Sequence, residues 1–321
     1  MNPANNKEPI AWLDGRLLPV SEAKVSVFDL GLVLGASVTE MIRTFRHTAF
    51  RLENHLDRLC RSLWAVGFPS PPARAELTAA VAAVLEQNEK LIPDEHDLGI
   101  VIFVTAGKNV TYLGLSEREA CRKPTVCVHT FPLPFEMWDR AMVAGRHLVT
   151  PSIRHIPPES IDPKIKSRSR LHWYLADQQA RLVDPEAGSL VLNRDGNITE
   201  NSTGNFFLAA DNTITTPPPG TALGGVSQQV VLELAERISV PVVQTDIRPY
   251  DVINADEAFT SSTPYCLMPV TRFNGRTIGD GQPGPVFDKL IAEWNRLAGL
   301  DIMEQIRVGA ERRRADSSMN C

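Results

Sequence analysis

Ile161-Asp-Pro-Lys-Ile-Lys-Ser-Arg-Ser-Arg170 is the stretch in which chemistry-bearing side chains are densest. In an extended chain alternate side chains share a face, so Lys164, Lys166, Arg168 and Arg170 point the same way. Four cations on one face repel each other. Solvent, a polyanion, or a lysine whose ammonium does not persist would each account for them. A lysine that acts as a Schiff-base nucleophile must attack unprotonated, and neighbouring cations help it lose its proton. These residues alone do not choose among the three.

Other stretches supply anion binding. Gly224-Gly225 runs into a helical pattern at Val226-Ser227. A glycine-rich entry exposes backbone N–H groups at the positive end of a helix, and Ser227 adds a hydroxyl. The same residues also serve as simple caps. Ser261-Ser-Thr263 clusters hydroxyls at the end of a strand pattern, and Arg58 offers a planar fork that matches phosphate oxygens. Glu200 lies in Gly196-Asn-Ile-Thr-Glu-Asn-Ser-Thr-Gly-Asn-Phe-Phe207. An acid set among Thr, Asn and Ser can be held ionised by hydrogen bonds and face a cationic ring nitrogen. A lysine for an imine, a carboxylate for a pyridine nitrogen and a phosphate cradle are together what pyridoxal 5'-phosphate requires.

The elements that must position these groups are legible from periodicity. Asp14-Gly15 joins Ile10–Leu13 to Arg16–Val20 as a hairpin. A strand follows the glycines of 31–35, and Thr48–Leu52 is another strand candidate. Leu56, Leu59, Leu63 and Val66 recur at helical spacing, with Asn54 as the expected N-cap and Arg58 on a different face. A second helix runs through Leu77, Val81, Val84 and Leu85 as far as Pro93. Strands are expected at Gly99–Thr105, Thr125–Thr130 and Met142–Val149. Pro157, Pro158 and Pro163 resist regular structure. Leu171–Ala180 is helical, and hairpins are expected around Arg194-Asp195-Gly196 and Asp211-Asn212. Val226–Ile238 is a helix, Val242–Ile247, Glu257–Ser261 and Met268–Phe273 are strands, and Phe287–Leu297 is a closing helix. The class is α+β. Residues 1–150 form a small N-terminal α/β domain, 151–163 a linker, 164–306 a C-terminal cofactor-binding domain, and 307–321 a solvated, disordered tail.

At 43% hydrophobic and 22% charged the composition is that of a globular chain, and 321 residues suffice for about two domains. A net charge of −5 gives no basic field, so nucleic acid is not an expected partner. Cys60, Cys121, Cys127, Cys266 and Cys321 form no C-x-x-C pair, which favours a reducing compartment. Met1–Lys7 lacks the apolar core of a signal peptide, and Ile100–Val104 is too short to span a bilayer. A cytoplasmic protein without a membrane partner is expected.

The chain resembles the class IV aminotransferases, the family of branched-chain and D-amino-acid aminotransferases and aminodeoxychorismate lyase. The likeness runs in order through Trp12-Leu-Asp-Gly15, Arg51-Leu-Glu-Asn-His-Leu-Asp-Arg-Leu59, Lys166 and the helix after it, Gly196–Phe207, Leu223-Gly-Gly-Val-Ser227, Asp256–Thr263 and Gly275–Pro285. The resemblance implies fold-type IV, with a small N-terminal domain and a larger barrel-like C-terminal domain of mixed α/β structure. It implies pyridoxal phosphate as cofactor, an amino donor and a keto-acid acceptor as substrates, and a homodimer. It makes Lys166 the cofactor-bearing lysine and sets Glu200 at the pyridine nitrogen. Arg58, Val226, Ser227 and Thr263 are placed at the phosphate.

Departures fall on substrate recognition. The family's aromatic-rich segment reads Leu34-Gly-Ala-Ser-Val-Thr39-Glu40 here, so Leu34 and Thr39 stand at two substrate-facing aromatic positions. Glu40 matches a glutamate common in the family's aminotransferases and favours transfer. Val104–Leu113 offers only Lys108 where some relatives carry a carboxylate-binding arginine. Pro264 has no N–H where relatives present one to the substrate carboxylate. The expected activity is branched-chain-aminotransferase-like transfer with a restricted donor range. A lyase of the aminodeoxychorismate lyase type and a non-catalytic paralogue are the alternatives.

Overall fold

Alternate residues of three neighbouring strands are apolar on one side, and that side packs on two helices. In the computed structural model, which describes residues 8–116 and 123–319, these strands belong to a compact unit of Met1–Leu133 with Ile165–Ser169. Met1–Lys7, Cys121 and Cys321 lie outside the described residues. The unit comprises β1 (Ile10–Leu13), β2 (Arg16–Pro19), α1 (Leu30–Val33), β3 (Ser37–Phe45), β4 (Thr48–Ala49), α2 (Leu52–Val66), α3 (Arg74–Asn88), β5 (Leu98–Thr105) and β6 (Val126–Pro132). The sheet order is β2-β1-β6-β5-β3-β4, antiparallel throughout. Val38 and Ile42 of β3, Ile100, Ile102 and Val104 of β5, and Val126 and Val128 of β6 share a core with Leu56, Leu59 and Leu63 of α2 and Leu77, Val81 and Val84 of α3. Each such burial contributes about 1.5–3 kcal/mol. Glu40 lies between Val38 and Ile42, so strand alternation carries it to this helix-facing side.

The second unit, Pro134–Lys164 with Arg170–Cys321, contains a closed barrel. Its elements are α4 (Asp139–Ala144), β7 (Arg146–Val149), α5 (Leu171–Val183), β8 (Gly188–Leu192), β9 (Ile198–Asn201), β10 (Gly204–Ala210), β11 (Thr213–Thr216), α6 (Val226–Arg237), β12 (Val242–Gln244), α7 (Pro249–Ile253), β13 (Glu257–Ser262), β14 (Cys266–Phe273), β15 (Arg276–Thr277), α8 (Pro285–Ala298) and α9 (Ile302–Met319). The ring runs β10-β13-β14-β7-β8-β9 and returns to β10, with β7 parallel to both its neighbours. Leu148, Leu190, Ile198, Phe206, Ala258 and Val270, one from each ring strand, meet in one buried cluster. The small mixed α/β domain and the larger barrel are the expected architecture, and no helix among the described residues is long and apolar enough to cross a membrane.

Several local expectations need correction. Helix α2 begins at Leu52 from Arg51, whose φ of 55° is left-handed, so Asn54 lies inside the helix and β4 stops at Ala49. Met142–Ala144 is helical, and Gly145 with φ 74° turns the chain into Arg146–Val149, which joins the barrel. The strand after Val242 ends at Gln244. The expected linker lies within the second unit, where Arg154 bridges to Leu192. The expected tail is helical through Met319: Ile302, Ile306 and Ala310 are buried at four-residue spacing, and Arg313 and Arg314 pair with Glu136 and Asp139. Those pairings hold Arg313 and Arg314, two of the charges in a segment that read as solvated, against the rest of the unit.

Candidate active site

Lys166 belongs to the first unit. The segment carrying it lies beside the start of β3, with Ser167 bridged antiparallel to Val38. The Lys166 carbonyl accepts the Thr39 N–H at 3.0 Å, the Arg168 N–H donates to Ser37 O at 3.0 Å, and the Lys166 N–H donates to Ser62 Oγ at 3.3 Å. The Lys166 backbone is therefore tied to both β3 and α2. Lys164 contrasts with it: that side chain is 67% exposed and pairs with Asp162 at 3.4 Å. Lys166 is half-buried, and its charge acts on His55.

Behind β3 lies a buried charge cluster. Arg58 donates from Nε and Nη2 to the two Glu40 oxygens at 2.7 Å each, and His55 Nδ1 lies 2.8 Å from Glu40 Oε2. Burial alone would raise the Glu40 pKa. The charge and hydrogen bonds of Arg58, helped by His55, outweigh it and hold the carboxyl at about 2. Burial pulls His55 below the ordinary histidine value, so the ring is neutral and donates from Nδ1. Sequence reasoning singled out Arg58 as a phosphate ligand and foresaw neither its pairing with Glu40 nor His55, which sits three residues before it on the same helix. Glu40 is fully buried against α2.

The opposite face of the same sheet carries Thr39, whose hydroxyl donates to Ile102 O at 2.8 Å and accepts from Arg168 Nη1 at 3.0 Å. The Arg168 guanidinium lies 5.5 Å from the centre of the Phe103 ring. Burial lowers its pKa, and no carboxylate among the described residues pairs with it. Leu34 is 71% exposed, and Lys108 is exposed where it bridges to Asp29.

The second unit holds the other expected residues. Glu200 on β9 is 9% exposed. Its Oε1 lies 3.2 Å from His155 Nε2 and accepts the Leu223 N–H at 3.4 Å, while Oε2 makes no hydrogen bond among the described residues. Asn205 Nδ2 donates to the Leu223 carbonyl at 2.7 Å, so one network joins the acid to the turn that opens α6. That helix has no side-chain cap, and the Val226, Ser227 and Gln228 amides have no acceptor among the described residues. Asn205 pairs across the ladder with Ser261, whose buried Oγ has no partner among the described residues. The hydroxyls of Ser227 and Thr263 likewise make no hydrogen bond there, and Pro264 is buried in the following turn. Unpartnered amides at the positive end of a twelve-residue helix, with an orphaned hydroxyl on the adjoining strand, suit a phosphate.

Gly225 permits that arrangement. A Cβ there would lie 2.1 Å from Asn205 Oδ1. Gly225→Ala should displace the α6 entry and weaken binding of a phosphate-bearing ligand about tenfold or more, measured by equilibrium titration. Unchanged affinity would mean that the α6 entry holds no phosphate.

Comparison with known proteins decides the lineage. Residues 37–273 match the family described as amino-transferase class IV. The chain belongs to that family. It is 30% identical to the D-alanine aminotransferase of Bacillus licheniformis over 85% of this chain and 91% of that protein. It is 28% identical to the branched-chain-amino-acid aminotransferase of Pseudomonas aeruginosa over 89% of this chain and 91% of that one. The Escherichia coli branched-chain amino acid aminotransferase structure superposes with a TM-score of 0.82 at 24% identity, covering 92% of this chain and 95% of that one. Class IV aminotransferases depend on pyridoxal phosphate and transfer amino groups between amino acids and keto acids.

Proposed function

We propose that this class IV aminotransferase binds pyridoxal phosphate through Lys166 and moves an amino group from a carboxylate-bearing donor to a 2-keto acid. The observation that carries the reading is the match between the family's cofactor chemistry and four features of the chain. These are a lysine anchored through its backbone, a buried acid with one open oxygen, an uncapped α6 N-terminus and an orphaned Ser261 hydroxyl. When bound, pyridoxal phosphate supplies an electron sink for the bond broken at the donor's α-carbon. Lys166 Nζ is the nucleophile that carries the group and afterwards moves the α-proton. Glu200 Oε2 holds a proton at the ring nitrogen. The Val226 and Ser227 amides, Ser227 and Thr263 hydroxyls and Arg58 hold the phosphate, and Glu40 and His55 orient Arg58. A homodimer in the cytoplasm belongs to the same proposal.

Relatives named for D-alanine and for branched-chain amino acids both match this chain, so the names do not choose the donor. Arg168 supplies a further criterion. A guanidinium held by the Thr39 hydroxyl and the Phe103 ring that pairs with no carboxylate among the described residues suits a substrate carboxylate. Arg168→Gln should raise KM for carboxylate donors about tenfold or more, with a smaller change in kcat. An unchanged KM would remove Arg168 from donor recognition.

Transfer and elimination share the same apparatus, and a half-reaction separates them. Holoenzyme incubated with a donor but no acceptor should release one keto product per active site and then stop, because the amino group stays on the cofactor. Sustained product release would identify a lyase.

A further inference from the structure

His155 lies in the proline-rich segment that was expected to be only a linker. Its backbone N–H donates to Leu192 O at 2.9 Å, which docks the segment on β8. The ring is 7% exposed, and each nitrogen faces an oxygen: Nδ1 lies 2.9 Å from the Ile156 carbonyl, and Nε2 lies 3.2 Å from Glu200 Oε1. A carbonyl and a carboxylate both only accept. A neutral imidazole has one N–H and would leave a lone pair facing one of these oxygens, whereas an imidazolium satisfies both.

The groups around the ring favour that state. Glu200 is the acid in contact with it, and its charge and hydrogen bond, helped by the Ile156 carbonyl, outweigh burial and raise the His155 pKa. His172, whose ring centre lies 6.4 Å away, is itself depressed to about 4, mainly by burial and then by His155 and Arg170. His172 is therefore neutral and does not compete for Glu200. Trp173 packs 5.7 Å from the His155 ring, and Arg170 lies over Trp173.

We propose that His155 is a positioning residue: as an imidazolium it joins the Leu223 N–H in pinning Glu200 Oε1 and leaves Oε2 to the cofactor's ring nitrogen. This rests on the reading of Glu200 as the acid that serves that nitrogen. The support is present while His155 is charged. Since its folded pKa is raised, it persists above the pKa of a free histidine and is lost as pH rises through the folded value. His155→Arg keeps the charge without titrating in that range, whereas His155→Gln keeps a donor without charge and His155→Leu keeps neither.

The test uses holoenzyme labelled with ¹⁵N in the histidine rings, with His155 assigned by its loss in His155→Gln. Both ring nitrogens should be protonated at pH 7 in wild type, and Glu200→Gln should lower the titration midpoint. His155→Leu and His155→Gln should lower kcat about 10- to 100-fold. His155→Arg should recover most of that loss and flatten the alkaline limb of both kcat and pyridoxal phosphate affinity. A wild-type ring with one protonated nitrogen at pH 7 overturns the proposal, and the reading of Glu200 stands if Glu200→Gln still loses turnover. Wild-type turnover in Glu200→Gln would sink that reading and the proposal with it.

Discussion

Replacing Lys166 with alanine should lower turnover by about 10⁴-fold or more while leaving the fold intact. On the proposed function the substitution removes the nucleophile and the proton carrier together, and acid–base transfer alone accounts for about 10²- to 10⁴-fold. The fold should survive because the ties from Lys166 to Ser62 and Thr39 are made by its backbone. Steady-state kinetics read the first effect and thermal unfolding the second. Lys164→Ala should stay near wild type, since that side chain is exposed and, among the described residues, pairs with Asp162 alone. A large loss in Lys164→Ala with near-normal Lys166→Ala would exchange their roles.

The largest stability effect is expected at Glu40. Glu40→Gln removes the counter-charge from an arginine that is 6% exposed, and breaking a buried pair on one side costs about 3–5 kcal/mol. Denaturant unfolding should show that loss near pH 7. The dependence on pH follows from the direction of the shift. The folded carboxyl titrates at about 2, below its ordinary value of 4.5, so the ion pair stabilises fully above that value. Its contribution fades as pH falls from 4.5 toward 2, and the gap between wild type and Glu40→Gln should narrow over the same range. A variant as stable as wild type at pH 7 would mean that Arg58 finds another partner.

Much of the fold could be read from local pattern. Leu56, Leu59 and Leu63 lie buried along α2 as their spacing implied, and Asp14-Gly15 and Asp211-Asn212 make their turns with positive φ. Errors arose where the controlling contact is distant in sequence. Gly145 splits Met142–Val149 because its left-handed φ ends α4, and the following strand pairs with β14 more than a hundred residues later. Helix α9 read as a tail because Glu136 and Asp139, which pair with its arginines, precede it by more than 170 residues.

The proposed site shows the same division. Lys166, Glu200 and the α6 entry carry local signatures, a basic stretch, an acid among hydroxyls and paired glycines, and sequence alone nominates them. Partners supplied from elsewhere in the chain were not. His155 reaches Glu200 across 45 residues. Glu40 was read through its aromatic neighbour's position, whereas the fold turns it inward to Arg58, 18 residues away. Arg168 was counted among four like cations, and only the packing of Thr39 and Phe103 singles it out.

The assignment of Lys166 is tested most directly by trapping. Borohydride reduction of the yellow holoenzyme fixes the cofactor to whichever lysine carries it, and peptide mapping by mass spectrometry locates the adduct. The phosphopyridoxyl group should be found on Lys166, near one per chain, and reduction should abolish turnover in proportion. An adduct on Lys164 or another lysine, or full activity after reduction, would contradict the account.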